Sequence, residues 1–148
     1  MMATVFDVAR YILEKQGEMT AMKLQKLVYY SQAWSLVWEE RPLFNASIEA
    51  WANGPVVRSL YDCHRGQFRV SPESLARGTA AALDEADAST VDGVLEFYGD
   101  KTAQWLSDLT HMEAPWKKAR ERAGLGDGEP GESVISLSDI HEYYSGLE

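Results

Sequence analysis

Residues 20–39 read Thr-Ala-Met-Lys-Leu-Gln-Lys-Leu-Val-Tyr-Tyr-Ser-Gln-Ala-Trp-Ser-Leu-Val-Trp-Glu, and the apolar positions of that stretch fall on nearly every side of a helix. A helix with no broad polar face cannot lie at a surface, so it must be ringed by other elements and form the centre of the fold. Leu24, Leu27 and Trp34 are therefore expected in the core. Gln25, Tyr29 and Gln32 follow one another at i, i+4 and i+7, a polar stripe on this greasy cylinder. Such a stripe is either its narrow strip of contact with water or a buried hydrogen-bonded seam.

The elements available to surround it are mostly helical. Val5, Val8, Ala9, Ile12 and Leu13 form an amphipathic stripe behind the capping pair Thr4 and Asp7, and Gly17 ends it. Pro42 breaks the central helix after Arg41. Residues 47–52 alternate as a short strand, and Gly54-Pro55 sets a turn and a helix start, with Val57, Leu60 and Tyr61 on one side. Residues 67–70 read as a second short strand able to pair with the first. Residues 71–88 read as a loop with an acidic patch at 84–87, and Ser89 with Asp92 resembles a capping box before Val91, Val94, Leu95 and Tyr98.

Thr102 to Met112 predicts a helix with Trp105, Leu106, Leu109 and Met112 inward, and Gln104, Ser107, Asp108 and His111 outward. Ala114-Pro115-Trp116 opens the next one, up to Gly124. Residues 124–132 hold four of the eleven glycines and are expected to be a mobile loop. Ser138 would cap a last helix that packs through Ile140, Tyr143, Tyr144 and Leu147. The expected architecture is mainly α: a single domain over residues 1–148 around one buried helix, with a minor short β element. Met1-Met2 reads as a doubled start and Leu147-Glu148 as a tag scar.

Charge narrows the partners. The net charge of −9 is uneven, about −1 over residues 1–63 and −8 over 64–148. A field of that sign repels phosphate, so direct nucleic-acid binding is not expected. Lys117, Lys118, Arg120 and Arg122 form the one basic cluster, expected on a solvated helix face. No stretch is apolar enough for a membrane span and none reads as a signal peptide. With a single cysteine, Cys63, the default compartment is the cytoplasm.

Chemistry finds little purchase. Three histidines and one cysteine offer no metal-ligand spacing, and no glycine-rich phosphate loop follows a strand, so neither metal nor cofactor is expected. His111 beside Glu113 is the best acid–base pair, but no nucleophile in a strained turn accompanies it. An enzyme is not expected. Five Trp, seven Tyr and four Phe exceed what so small a domain hides, and exposed aromatics are favoured anchors of protein interfaces.

Several separated motifs, in order, resemble one family. Met22-Lys23-Leu24-Gln25-Lys26-Leu27-Val28-Tyr29-Tyr30-Ser31-Gln32-Ala33-Trp34 looks like the signature helix of the SocA-like, Panacea-domain antitoxins. Pro42-Leu43-Phe44, Ile48-Glu49-Ala50-Trp51, Gly54-Pro55-Val56-Val57 with Tyr61, and Leu106-Ser107 with Thr110-His111 and Pro115-Trp116 follow in the same order. The resemblance spans about residues 6–123. It implies an α-rich bacterial or phage protein that neutralises a cognate toxin by direct contact or, in the alternative, an adaptor that delivers the toxin to a ClpXP-type protease. The implied partners are that toxin and that protease, and self-association into a homo-oligomer stays open. On this reading Gln25, Tyr29, Gln32, Trp51, His111 and Trp116 are the candidate partner-binding residues. Leu24, Leu27, Trp34, Gly54, Pro55, Thr110 and Pro115 carry the structural part of the motif, with Thr110 and Pro115 locking two successive helices.

Overall fold

A computed structural model describes residues 2–75 and 77–148, and five helices in it start on a short polar side chain that accepts a backbone N–H three residues on. In α1 (Val5–Gln16) the box is reciprocal: Asp7 N–H donates to Thr4 Oγ1 at 3.2 Å, and Thr4 N–H donates to the Asp7 carboxylate at 2.8 Å. The second Asp7 oxygen accepts from Thr79 N–H at 2.8 Å, which ties a distant loop to the same cap.

Thr20 caps α2 (Ala21–Trp38), of which thirteen of eighteen residues are buried, so it is the central helix that its composition demands. Around it pack α1, α4 (Glu85–Tyr98), α5 (Ala103–Met112), α7 (Leu137–Ser145) and the hairpin of β2 (Ile48–Trp51) with β3 (Gly54–Val57). Leu24, Leu27, Val28 and Ala33 are wholly buried, and Trp34 packs against them half-buried. A large apolar side chain contributes roughly 1.5–3 kcal/mol when buried, so this helix carries much of the folding energy. Among the described residues no helix is long and apolar enough to cross a membrane.

The β element differs from expectation. β2 pairs antiparallel with the residues directly after it, Ile48 opposite Val57 through Trp51 opposite Gly54, so Pro55 lies in a strand and does not open a helix. Proline tolerates this place because its missing N–H would point away from the ladder. α3 (Arg58–His64) begins only after Val57, and β4 (Arg69–Val70) pairs with β1 (Met19–Thr20) rather than with β2.

Helix starts also move. α4 is capped by Asp84, whose carboxylate accepts from Asp87 N–H at 2.8 Å, so the acidic run is a helical first turn favourable to the helix dipole. Ser136, not Ser138, caps α7, and Leu147 is 55% exposed. On α5 the faces are partly exchanged: Ser107 is buried against the hairpin, whereas Trp105 and Met112 face outward. Ala80–Ala82 is a 3-10 turn. Met1, and Ala76 within the expected 71–88 loop, lie outside the described residues.

The chain beyond α6 (Ala114–Arg122) returns to the core. Residues 133–135 lie along β2 as a third strand segment: Ala50 N–H donates to Ser133 O at 2.7 Å and Ile135 N–H to Ile48 O at 2.8 Å. α7 then inserts Ile140 and Tyr144, both fully buried, beside α2.

Candidate functional site

In an antiparallel pair, alternate residues point their backbone groups away from the partner strand, and those groups need other donors and acceptors. Here side chains from three helices supply them. Ala50 O accepts from Arg120 at 2.9 Å, Trp51 O from the Trp116 indole at 2.8 Å and Ala52 O from His111 Nε2 at 2.9 Å. Asn53 O accepts from Ser107 Oγ at 2.6 Å, Pro55 O from Lys26 Nζ at 3.2 Å and Val57 O from Gln25 Nε2 at 3.3 Å. Gln25 Oε1 also accepts from Val57 N–H at 2.9 Å, so one amide closes the outer edge of β3. Each such bond is worth about 1 kcal/mol net, more with a charged donor, so together they hold the hairpin in one pose.

His111 makes the most restrictive of these contacts. Its Nδ1 faces Ser107 O at 2.6 Å while Nε2 faces Ala52 O, and its ring packs on Trp116 with centroids 4.0 Å apart. Both partners are acceptors, so the ring serves both only with a proton on each nitrogen. Thr110 Oγ1 donates to Ser107 O at 2.7 Å. These residues lock α5 and α6 to the hairpin turn, and His111 and Glu113 bond to separate groups.

Lys26 is fully buried beneath the same turn. Its Nζ has Pro55 O at 3.2 Å and Met22 Sδ at 3.5 Å, and burial pushes its ammonium down to about 7. Gly54, at φ +120°, makes room for it: a Cβ there would lie 2.6 Å from Lys26 Cε and 3.0 Å from Thr110 Oγ1.

Held this way, the hairpin forms one wall of an open cavity of about 580 Å³. Trp51 and Val56 line the hairpin side, Tyr61 the α3 side, Met22 and Phe68 the side of α2 and β4, and Pro130 to Glu132 the last. Phe68 is 79% exposed at the rim. Trp51 packs edge-on to Tyr61, with ring centroids 4.8 Å apart, and its indole donates to Glu49 at 2.8 Å. Arg58 lies over the Trp51 ring at 5.1 Å and pairs with Glu132 at 2.5 Å and Glu49 at 3.5 Å. At the floor, Gln25 Nε2 lies 2.9 Å from His64 Nε2. The Gln25 oxygen is taken by Val57, so its amide donates to His64, which accepts as a neutral ring; burial lowers that histidine's pKa, and Lys26 adds to the shift.

A second buried polar centre lies about one turn further along α2. Glu113, the residue between α5 and α6, accepts from Tyr30 and Tyr144 hydroxyls at 2.7 Å each, and Tyr144 and Tyr29 hydroxyls are 3.0 Å apart. Burial raises the Glu113 carboxyl above the usual range, while the two phenols pull it back. Tyr30 stacks on Tyr98, whose hydroxyl accepts from Trp34 Nε1 at 3.0 Å.

The expected binding residues thus divide. Gln25, Tyr29 and Gln32 form the buried seam, the second of the two readings of that stripe. Gln32 holds Leu43 N–H at 2.7 Å and Phe44 O at 2.9 Å, as Gln25 holds Val57. Trp51, His111 and Trp116 come together at the hairpin, and Trp51 with Gln25 also reaches the cavity. Arg120, expected on a solvated face, is 3% exposed and also bonds Gly126 O and Glu129 O. Lys26, His64 and Phe68 are not among the expected binding residues. The one available signal was Lys26, a charge set inside an otherwise apolar helix face.

Among the described residues no group of three or more His, Cys, Asp or Glu side chains is placed to hold a metal ion. No curated protein and no solved structure matches the chain. A family model described as Antitoxin SocA-like, Panacea domain, matches residues 24–117, which take in α2 from Leu24 onward, the hairpin and its clamp as far as Trp116. With more than half its length matched, this chain belongs to the SocA-like antitoxin family and carries a Panacea domain.

Proposed function

We propose that the domain neutralises a toxin by binding it directly, with the hairpin and its cavity as the docking face. One observation carries this reading: an open apolar cavity whose walls are positioned by the family's own motif residues, Gln25, Lys26, Ser107, His111 and Trp116. Recognition surfaces work best when pre-formed, since ordering a loop on binding subtracts from affinity. Seven bonds from six side chains to one hairpin provide that order in the free protein. The motif's best acid–base candidate supports the same view, because both nitrogens of His111 are engaged by backbone carbonyls.

The test is co-expression with the neighbouring open reading frame. A frame that is toxic alone and harmless beside this protein, at unchanged toxin abundance, is the expected result. Toxicity that persists in the presence of the protein overturns the reading. Rescue accompanied by loss of the toxin, abolished in a strain without ClpXP, assigns the adaptor role instead.

A further inference from the structure

Resting on that reading, we propose that the cavity takes a single large apolar side chain from a segment of the partner that carries Lys or Arg on either side of it. The apolar half of the inference is geometric. The walls are Met22, Trp51, Val56, Tyr61 and Phe68, and a volume of about 580 Å³ holds a Leu, Phe or Trp side chain together with its flanking backbone. Phe68 at 79% and Met22 at 39% exposure leave apolar surface at the mouth that an incoming side chain would cover.

The basic half comes from the loop that forms the remaining wall. Residues 124–132 contain Asp127, Glu129 and Glu132 and no Lys or Arg, and all three acids are exposed. Arg58 is shared between Glu49 and Glu132, so that cluster keeps a net negative charge beside Trp51. At the C-terminal end of α3 the exposed Asp62 and Arg65 offset each other. Glu132 is the one carboxylate that lines the pocket, and with the net negative cluster beside Trp51 it repels a second copy of this −9 chain and attracts a basic segment. The outer edge of β3 does not accept a partner strand, since Gln25 and Lys26 already occupy its backbone groups and Pro55 has no N–H. The side chain, not strand pairing, is therefore the recognition element.

The full chain, 15N-labelled, can be titrated with three hexapeptides: Lys-Arg-Leu-Phe-Lys-Arg, Lys-Arg-Gly-Ser-Lys-Arg and Glu-Asp-Leu-Phe-Asp-Glu. The expected result is that the first peptide shifts the backbone amides of Val56 and Phe68 and the Gln25 side-chain amide, at least about tenfold more tightly than either control. Met22→Glu and Phe68→Glu, both at exposed positions, should each weaken it about tenfold, while Phe97→Glu on α4 leaves it unchanged. Equal binding of the glycine-serine or the acidic peptide, shifts confined to other surfaces, or no shifts at millimolar peptide overturns the proposal. Failure of the parent chain to rescue cells from the toxin overturns the toxin reading itself; rescue by the parent and equally by Phe68→Glu removes only the cavity.

Discussion

The Nζ of Lys26 donates to the carbonyl of Pro55 at 3.2 Å, and among the described residues no carboxylate lies within ion-pair distance of it. A buried ammonium without a counter-ion disfavours the folded state whenever it is charged. Its folded pKa of about 7 lies below the unfolded value near 10.4, so the folded state binds fewer protons between those limits. Stability therefore rises with pH across roughly 7 to 10, by up to about 1.4 kcal/mol per unit from this group alone. Lys26→Met keeps the shape and removes the charge. It should be the more stable protein at pH 6, although it leaves Pro55 O unpaired, and the difference should shrink as pH rises to 10. Urea denaturation of both proteins across that range checks this. A difference that does not vary with pH would sink it.

Gly54 is the place where the turn and Lys26 meet. Its φ of +120° suits glycine alone, and a Cβ there would press on Lys26 Cε at 2.6 Å. Gly54→Ala should cost about 2–4 kcal/mol, the conformational and steric penalties acting together. Gly17, at φ +82° with nothing within 4 Å of a built Cβ, supplies the control, and Gly17→Ala should cost only about 1 kcal/mol. Thermal melts of the two variants separate the contributions, and equal losses would show that the space over Lys26 does not matter.

The cavity floor should respond to acid. His64 accepts from Gln25, and protonation would set a ring N–H against the amide donor. Its folded pKa is depressed by burial, so the stability it contributes is complete above the ordinary histidine value near 6.5 and is lost as pH falls through the lower folded value. Glu113, whose carboxyl is raised, acts in the opposite sense in the carboxylate range. The difference between the parent and His64→Gln isolates the histidine: the variant's stability should be flatter with pH below 6.5. Identical acid profiles would place the pH dependence elsewhere.

The central helix was legible in the sequence because burial on all sides leaves a compositional trace, and Thr4 with Asp7 marked a helix start because capping is local chemistry. The hairpin was not. Pro55 suits both a first helical turn and an outward strand position, and only tertiary donors decide between them. The same holds for the site. Gln25 and Gln32 were visible as a stripe, but their role depends on backbone segments that arrive from 11 to 32 residues away. Arg120 read as one of a run of surface charges because nothing local announces that three carbonyls converge on its guanidinium. Ser107 and Trp105 exchanged their expected faces on α5 because the hairpin turn needs a donor where helical periodicity alone would place a polar, exposed residue.

The matched family region ends at residue 117, yet the core is completed by residues beyond it. Tyr144 is fully buried, donates to Glu113 at 2.7 Å and lies 3.0 Å from the Tyr29 hydroxyl, while residues 133–135 cover the edge of β2. Removing α7 would expose Tyr29 and Tyr30 and leave Glu113 with one of its two phenols. A buried carboxylate that loses a donor incurs a penalty of roughly 1–3 kcal/mol or more, and the lost aromatic packing adds to it. Tyr144→Phe should therefore cost about 1–3 kcal/mol and Tyr144→Ala about 3–5 kcal/mol. A chain ended at Ala123 should lose cooperative unfolding altogether. Circular dichroism with urea titration distinguishes these outcomes, and a two-state transition in the shortened chain at parental stability would mean that the polar seam of α2 closes without its C-terminal partner.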